Sequence, residues 1–479
     1  MATFEQLQAR LASALALNTP GSTVPHVLVA LPSFSVGESL LSHYGSRIPA
    51  LEHRYLVVHA MLQRISSCDL VFIGSQDPGD DVRDYYLSLV PLAQQDDVRK
   101  RFHTVVVNDR TYRSVAEKLL DQPTAMAEVR RLIAGRPAFI EPWNVTEHEV
   151  DVAVALQLPV NGAPPDVWPL AYKSAGRRLF REAGVPLPYG HEDVRTVDDV
   201  VSAVADIRRA RPQCRAVVVK HDDSGAGDGN VVVPLDGDGD EVRERIEALP
   251  EWYLTDLRDG GIVEERITGE QFSSPSAQID LQPDGGVRLL ATHEQELGGD
   301  DGQVYIGCRF PADPTYAVQL GRHAVAVGEQ LARRGALGRI SVDFAAARDA
   351  EGAWRVYALE VNLRKGGTTH PYAALRNYVR GAYDGNTGQW RTEDGEPRAY
   401  RATDNLVSES WVGLAPATVI KALGGRGLHF DHRARTGVVL HMLSCLAIDG
   451  RFGLTAIGRD PHHATELFDA ARTAVEASV

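Results

Sequence analysis

The chain has 479 residues, is 44% hydrophobic and carries a formal net charge of −14. That is the composition of a globular protein, long enough for about three domains of ordinary size. The acidic balance argues against nucleic acid as a partner, and no apolar run reaches the ~18 residues of a membrane span.

The first residues lack a basic segment followed by an apolar core, so no signal peptide is expected. Cys68, Cys214, Cys308 and Cys445 are scattered, with no CxxC pair, and read as free thiols of a cytoplasmic protein. Residues 3–17 pattern as an amphipathic helix. The runs 25–31, 70–74 and 103–108 are continuously apolar, and helical patterns near 46–66, 80–92 and 110–134 separate them. Buried strands alternating with helices predict a parallel α/β unit covered on both faces, to about residue 160. Its loop 32–38 follows a strand's carboxyl end, where open α/β sheets bind ligands; a plain connection is the other reading. The Pro-rich stretch 159–169 marks a boundary.

Only six of the 50 basic residues are lysines, so each invites a reason. Lys173 opens a helical pattern with apolar positions 175, 179, 180 and 183, stopped by Gly184 and Pro186. Lys220 ends the strand-like run Arg215–Lys220. After it comes a loop with Gly225, Gly227 and Gly229, and then Val231–Val233. Strand, glycine loop, strand is not the strand-to-helix arrangement of GxxxxGK[ST]. It fits a hairpin whose backbone N–H groups close over phosphate beside Lys220, or else a surface turn. The acidic turn 236–241 lacks calcium-loop spacing and reads as solvated. Gly261–Glu270 reads as a strand leaving a turn, able to offer backbone groups to a base and an acid to ribose.

The most informative segment is 357–371. Glu360 and Asn362 stand two apart on a strand, hence on one face. Arg364 follows, and then Gly366 and Gly367 permit close approach of backbone and ligand. Upstream, the strand 338–344 carries Asp343, and the turn 347–354 lets Asp343 face Glu360. Oxygen donors of this kind suit Mg²⁺ with substrate phosphates; a polar pair at a strand end is the plain alternative. Residues 381–404 read as a polar, Gly-rich surface loop. Beyond it, two strands (436–448 and 452–458) around an Asp449–Gly450 turn, and a helix over 461–477, suggest a small closing unit. There His441 either lines a cleft or sits satisfied in the core, and His429 and His432 are equally open.

The order Lys173 helix with "GVPLP", "VVVK", glycine hairpin, "VEERITGE", "VDF" and "LEVNLRKGG" resembles the ATP-grasp superfamily over about residues 165–375. The resemblance implies an α/β fold, α+β in the core, with an N-terminal parallel α/β domain (1–160). A two-lobed core follows (161–380: lid lobe about 171–265, metal-binding lobe about 266–380), then a C-terminal α+β domain (381–479). It implies that Lys173, Lys220 and the hairpin glycines contact ATP phosphates. Glu264, Glu265 and the backbone around Ile267 would take the adenine, and Glu270 the ribose. Asp343, Glu360 and Asn362 would hold Mg²⁺, while Arg339 and Arg364 face the transferred or acyl phosphate. The run 292–311 and the "NLRKGGTTHPY" turn are similar to the family of the peptide ligase of pheganomycin biosynthesis. That implies a carboxylic acid joined through an acyl phosphate to the amine of a peptide or amino acid, with Arg309, Gly366 and Gly367 near substrate. A kinase or a non-peptide acyl-phosphate ligase on the same nucleotide site is the alternative, and a nucleotide-binding regulatory protein a further one.

Overall fold

The computed structural model describes residues 2–35, 41, 44–224, 229–236, 239–298 and 304–478. The first sheet is parallel, built of β1 (His26–Leu31), β2 (Cys68–Gly74), β3 (Phe102–Val106) and β4 (Ala138–Pro142) in the order β3-β2-β1-β4. Every residue of β1 is buried. Val27, Val29 and Leu31 pack into one core and Leu28 and Ala30 into another, as a strand covered on both faces requires.

Two expected helices differ. Residues 45–63 form a 3₁₀ run, one short α-turn and a second 3₁₀ run. Tyr55, Leu56, Val57, Ala60 and Leu62 are all buried, so the segment has no solvent face to keep it an amphipathic α-helix, and packing sets its backbone. The pattern at 110–134 is two helices, Val115–Leu120 and Pro123–Ile133, because Pro123 cannot continue the first and starts the second.

A second, antiparallel sheet of four strands contains β5 (Gly190–His191), β6 (Ala216–His221), β7 (Asn230–Pro234) and β8 (Gly261–Glu265), ordered β5-β8-β6-β7. β6 and β7 are the two arms of the glycine hairpin, in a register that sets Lys220 opposite Asn230. Gly225 and Gly227 lie outside the described residues.

Among the described residues the third sheet has 11 strands. It includes β9 (Gln271–Ser273), β10 (Pro275–Leu281), β11 (Val287–Gly298), β12 (Val304–Phe310), β13 (Gly338–Arg348) and β14 (Trp354–Asn362), and its central path runs β14-β13-β10-β11-β12. The path continues without a break into β17 (Pro397–Val407), next to β16 (Gln389–Thr392) and β15 (Gly381–Asp384). β17 pairs in turn with β19 (Arg451–Gly458), which pairs with β18 (Gly437–His441). The segment 381–404 is therefore three strands and not a loop, and the sheet crosses the expected boundary at 380/381. The strand expected over 436–448 stops at His441, because Met442 takes a left-handed φ of 56° and short helical turns follow. One face of the third sheet packs its apolar residues on helix Ala317–Ala332. On the other face β10 and β13 carry polar residues, Ser276, Gln278 and Asp280 opposite Asp343, Ser341 and Arg339, while β11, β12 and β17 join a core shared with the N-terminal unit.

Candidate functional site

The site grows from the β13–β14 hairpin. Asp343 and Glu360 are ladder partners, as are Ser341 and Asn362, so period-2 alternation puts both carboxylates and the amide on one face. Asp343 accepts hydrogen bonds from Asn362 Nδ2 (2.9 Å) and from Gln295 Nε2 (2.9 Å). Burial, and then the like charge of Glu360, push the Asp343 carboxyl up to about 7 against the pull of Arg364. Lys173 Nζ donates to Glu360 Oε1 (3.0 Å) and to Ser224 O (2.7 Å). A lysine and an arginine thus stand where two acids face each other. Oxygen donors at this density, with one carboxyl kept uncomfortable by its neighbour, fit a hard divalent cation. Sequence reading missed Gln295. Its signal was parity, since it lies two residues past His293 on the strand that borders β10.

Lys173 is placed by an inter-element cap. Its N–H donates to Asp222 O (3.1 Å), and Ser174 N donates to Asp222 Oδ1 (2.7 Å). These bonds tie the N-terminus of helix Lys173–Glu182 to the base of the glycine hairpin. Lys220 Nζ meets Glu264 Oε1 at 2.6 Å, and Arg177 Nη1 meets Glu264 Oε2 at 2.5 Å. Glu264 is 2% exposed. Its carboxylate is therefore an interior anchor with both oxygens occupied, which corrects the expectation that it meets adenine.

Glu265 accepts from Tyr189 N (2.8 Å) and faces Arg211 (3.5 Å). Past it, Arg266 N bonds Ala216 O and Glu270 N bonds Arg348 O. Ile267 and the exposed Glu270 thus lie on the strap that spans from the second sheet to the third. Gly229, at φ +77°, runs so close to His221 that a Cβ would lie 2.7 Å from its Nδ1.

A cleft of about 820 Å³ opens over this hairpin. Its walls include Ser35 and Thr146 from the first unit, Tyr172, Asp223 and Trp252 around the glycine hairpin, and Glu360, Asn362 and Arg364 on the floor. Ser35 thus brings the loop after β1 to the cleft, while residues 36–38 fall outside the described set. Gly366 has open space around its Cα, whereas a Cβ on Gly367 would press to 2.4 Å from the Tyr305 ring. Lys365, one of the six lysines and given no role from the sequence, is buried and pins this turn to the first unit through Glu141 (2.8 Å) and Pro142 O (2.5 Å).

Two arginines are not where the sequence suggested. Arg339 precedes Asp343 by four residues, ~13 Å along a strand, and pairs across the ladder with Asp280. It belongs to the far end of the polar face and not to the phosphoryl end. Arg309 pairs with Glu294 on the ladder and with Glu296 through its Nε at 2.7 Å. Glu294 and Glu296 alternate with Gln295, so Arg309 lies on the face opposite Asp343, and its side chain is 56% exposed. It is a surface ion pair.

His441 is buried against His370 and Asp404, with Nε2–Nε2 at 3.1 Å and Nε2–Oδ1 at 2.7 and 2.8 Å. Arg54 approaches Asp404 at 3.6 Å. Gly453 leaves the room this needs, since a Cβ there would sit 2.1 Å from His441 Nε2. His429 and His432 bond Ile420 O (2.9 Å) and Leu89 O (2.6 Å). The C-terminal histidines hold elements together and do not line the cleft.

Two family models match the chain: "IQCH-like, ATP-grasp" over residues 247–375 and "PGM1 C-terminal domain" over residues 418–471. L-propargylglycine–L-glutamate ligase of Streptantibioticus cattleyicolor is 31% identical over 412 residues, 82% of this chain and 83% of that protein. IQ motif-containing protein H of Danio rerio is 21% identical over 440 residues, 78% of this chain and 42% of that one. Among solved structures, the biotin carboxylase β-γ-ATP complex from Campylobacter jejuni superposes with a TM-score of 0.56 at 12% identity, over 94% of this chain and 90% of that one. The biotin carboxylase domain of Hydrogenobacter thermophilus 2-oxoglutarate carboxylase, solved with MgADP, ADP and bicarbonate, gives 0.54 at 14% identity, over 93% and 89%. Both share the fold.

Proposed function

The chain belongs to the ATP-grasp family of ligases, and we propose that it activates the carboxylate of an amino-acid-like substrate as an acyl phosphate and joins it to the amino group of an amino acid or peptide. The observation that carries this reading is the Asp343–Glu360 ladder pair with Asn362 and Arg364 on the floor of a cleft walled by the glycine hairpin and the N-terminal loops. ATP with Mg²⁺ supplies the phosphoryl group that turns a carboxylate, a poor acyl donor, into one with a good leaving group.

Asp343, Glu360 and Asn362 would hold the cation. Lys173, now bonded to Glu360, would be released toward phosphate, as would Lys220, now paired with Glu264 at the hairpin's base. Gly229 and the backbone of the hairpin would close over the phosphates. Ile267 and Glu270, on the strap, would take the base and ribose, with Glu265 fixing the strap's start. Arg364 is permanently charged and planar, suited to a bidentate grip on the acyl phosphate oxygens. Gly366 and Gly367 let substrate approach the backbone beside it.

In the first step the acid's oxygen bonds to phosphorus as the bond to ADP breaks. In the second, a neutral amine forms the C–N bond, phosphate departs with the C–O electron pair, and the nitrogen gives up a proton. Side chains position and neutralise; no protein nucleophile is needed. Excluding water from the cleft would protect the acyl phosphate from hydrolysis. Among the described residues no helix is long and apolar enough to cross a membrane.

The test is nucleotide product analysis with hydroxylamine as the amine and a panel of amino-acid-like acids. ADP together with a hydroxamate is the expected result. AMP with pyrophosphate, or a stable phosphorylated product without amide, would overturn the reading.

A further inference from the structure

His370, Asp404 and His441 meet from three elements that are far apart in sequence. His370 is the second residue of helix Thr369–Tyr378, which follows the turn carrying Arg364, Gly366 and Gly367. Asp404 lies on β17, and His441 ends β18. His370 Nε2 stands 2.8 Å from Asp404 Oδ1, His441 Nε2 stands 2.7 Å from the same oxygen, and the two nitrogens are 3.1 Å apart. Among the described residues, this is the one group of three or more histidine, cysteine or acidic side chains whose donor atoms all converge. Both rings are buried, and none of the three residues lines the cleft.

Protons alone serve this triangle poorly. The nitrogen of a neutral imidazole is either a donor or an acceptor. If each Nε2 carries a proton to Asp404 Oδ1, two N–H groups crowd one oxygen and face each other across 3.1 Å. If one is bare, its lone pair meets a carboxylate oxygen less than 3 Å away. His370 Nδ1 is buried without a partner, so no protein group fixes that ring's tautomer.

A cation resolves the conflict by joining three lone pairs. The three atoms lie on a circle of ~1.7 Å radius, so an ion ~2.1 Å from each, the usual length of a metal bond to imidazole or carboxylate, sits ~1.2 Å off their plane. The angles at that ion come to ~80–100°, the facial arrangement of two histidines and a carboxylate. Asp404 Oδ2 is turned to Arg54 at 3.6 Å, which leaves Oδ1 for the ion. The carboxylate thus stands between the two positive charges and has the outer partner that a metal ligand needs.

We propose that His370, Asp404 and His441 form a metal site that takes one divalent first-row ion of the zinc or cobalt type. Two imidazoles beside one carboxylate suit such an ion, whereas Mg²⁺ takes oxygen ligands. The site is separate from the Asp343–Glu360 pair and does not depend on the ligase reading. Its place gives it a task. The ion ties the first turn of helix Thr369–Tyr378 to β17 and β18. Arg54 carries the tie to the N-terminal unit, where its guanidinium lies 4.8 Å from the centre of the Trp143 ring. Holding residue 370 fixes one end of the turn that brings Arg364 to the cleft.

The test loads the full chain, freed of metal on a chelating resin, with CoCl₂ in the presence of excess Mg²⁺. Cobalt retained per chain after gel filtration and its visible absorption are compared for the wild type, His441→Gln, Asp404→Asn and Glu360→Gln. We expect one cobalt per chain in the wild type and in Glu360→Gln, and affinity weaker by about tenfold or more in the other two. No retained cobalt in the wild type would overturn the proposal. So would equal retention in His441→Gln, which assigns the ion to exposed histidines such as His462, or its loss in Glu360→Gln, which assigns it to the cleft. If His441→Gln and Asp404→Asn fail to fold, crystals of the cobalt-loaded wild type decide. An anomalous-scattering peak among the three side chains supports the site, and a peak elsewhere or none removes it.

Discussion

The two ends of one sheet face differ in how they handle charge. At the Asp343 end two carboxylates face each other, yet each has protein donors at hand: Asn362 and Gln295 for Asp343, Lys173 for Glu360. At the Arg339 end three guanidiniums gather with no donor–acceptor partner among the described residues. The acidic end is thus held ready by its own side chains and exchanges partners when a cation and phosphates arrive. At the basic end Asp280 and Glu141 favour the charged form of Arg339 without bonding it, and Arg288 and Arg376 are open to solvent. A single ladder register, Asp343 with Ser276 and Arg339 with Asp280, fixes the distance between them.

The strongest way to break this contrast is Glu360→Gln. We expect loss of ligation by about 10³-fold or more, from the loss of a cation ligand, with an unchanged circular dichroism spectrum; activity near that of the wild type would remove the metal assignment.

Lys220→Ala should weaken ATP about tenfold or more and adenosine much less. Glu264 keeps Arg177 as a partner, so the fold should survive; equal losses for both ligands would refute a phosphate role.

Acid should act through the buried titratable groups. Burial lowers His53 to about 4 and His293, next to the acidic end, to about 3. These histidines are neutral when folded and protonate near 6.5 when unfolded, so their contribution is complete above about 6.5 and is lost as pH falls toward the folded values. Stability should decline by roughly 1.4 kcal/mol per pH unit for each. Glu52 and Asp343, both raised by burial to about 7, work in the opposite direction and soften the decline. Urea titrations from pH 7 to 4 measure the balance, and a midpoint that rises as pH falls would contradict it. The smallest effect belongs to Arg309→Ala, whose kcat/KM should stay within about twofold of wild type, because its partner Glu296 lies on the other side of the sheet from the cleft.

Period-2 alternation within a strand is a local property, so it was legible from the residues alone that Glu360 and Asn362 share a face and that Asp343 can meet them across one hairpin. Continuous apolar runs likewise determined the parallel first sheet, and the strand–glycine–strand pattern the antiparallel hairpin after Lys220. What pairs across large separations was not legible. Nothing local says that Gln295 reaches Asp343 from 48 residues away, that Glu264 is consumed by Lys220 and Arg177, or that 381–404 extends the core's sheet.

The two arginines show the physical reason most clearly. Arg309 and Arg339 look equally suited to an anion in sequence, but a strand's face is decided by the register of its neighbours, and a shift of one residue moves a side chain from cleft to solvent. Composition and alternation fix which residues travel together; long-range register and the packing of helix Thr369–Tyr378 over the sheet decided which of them meet.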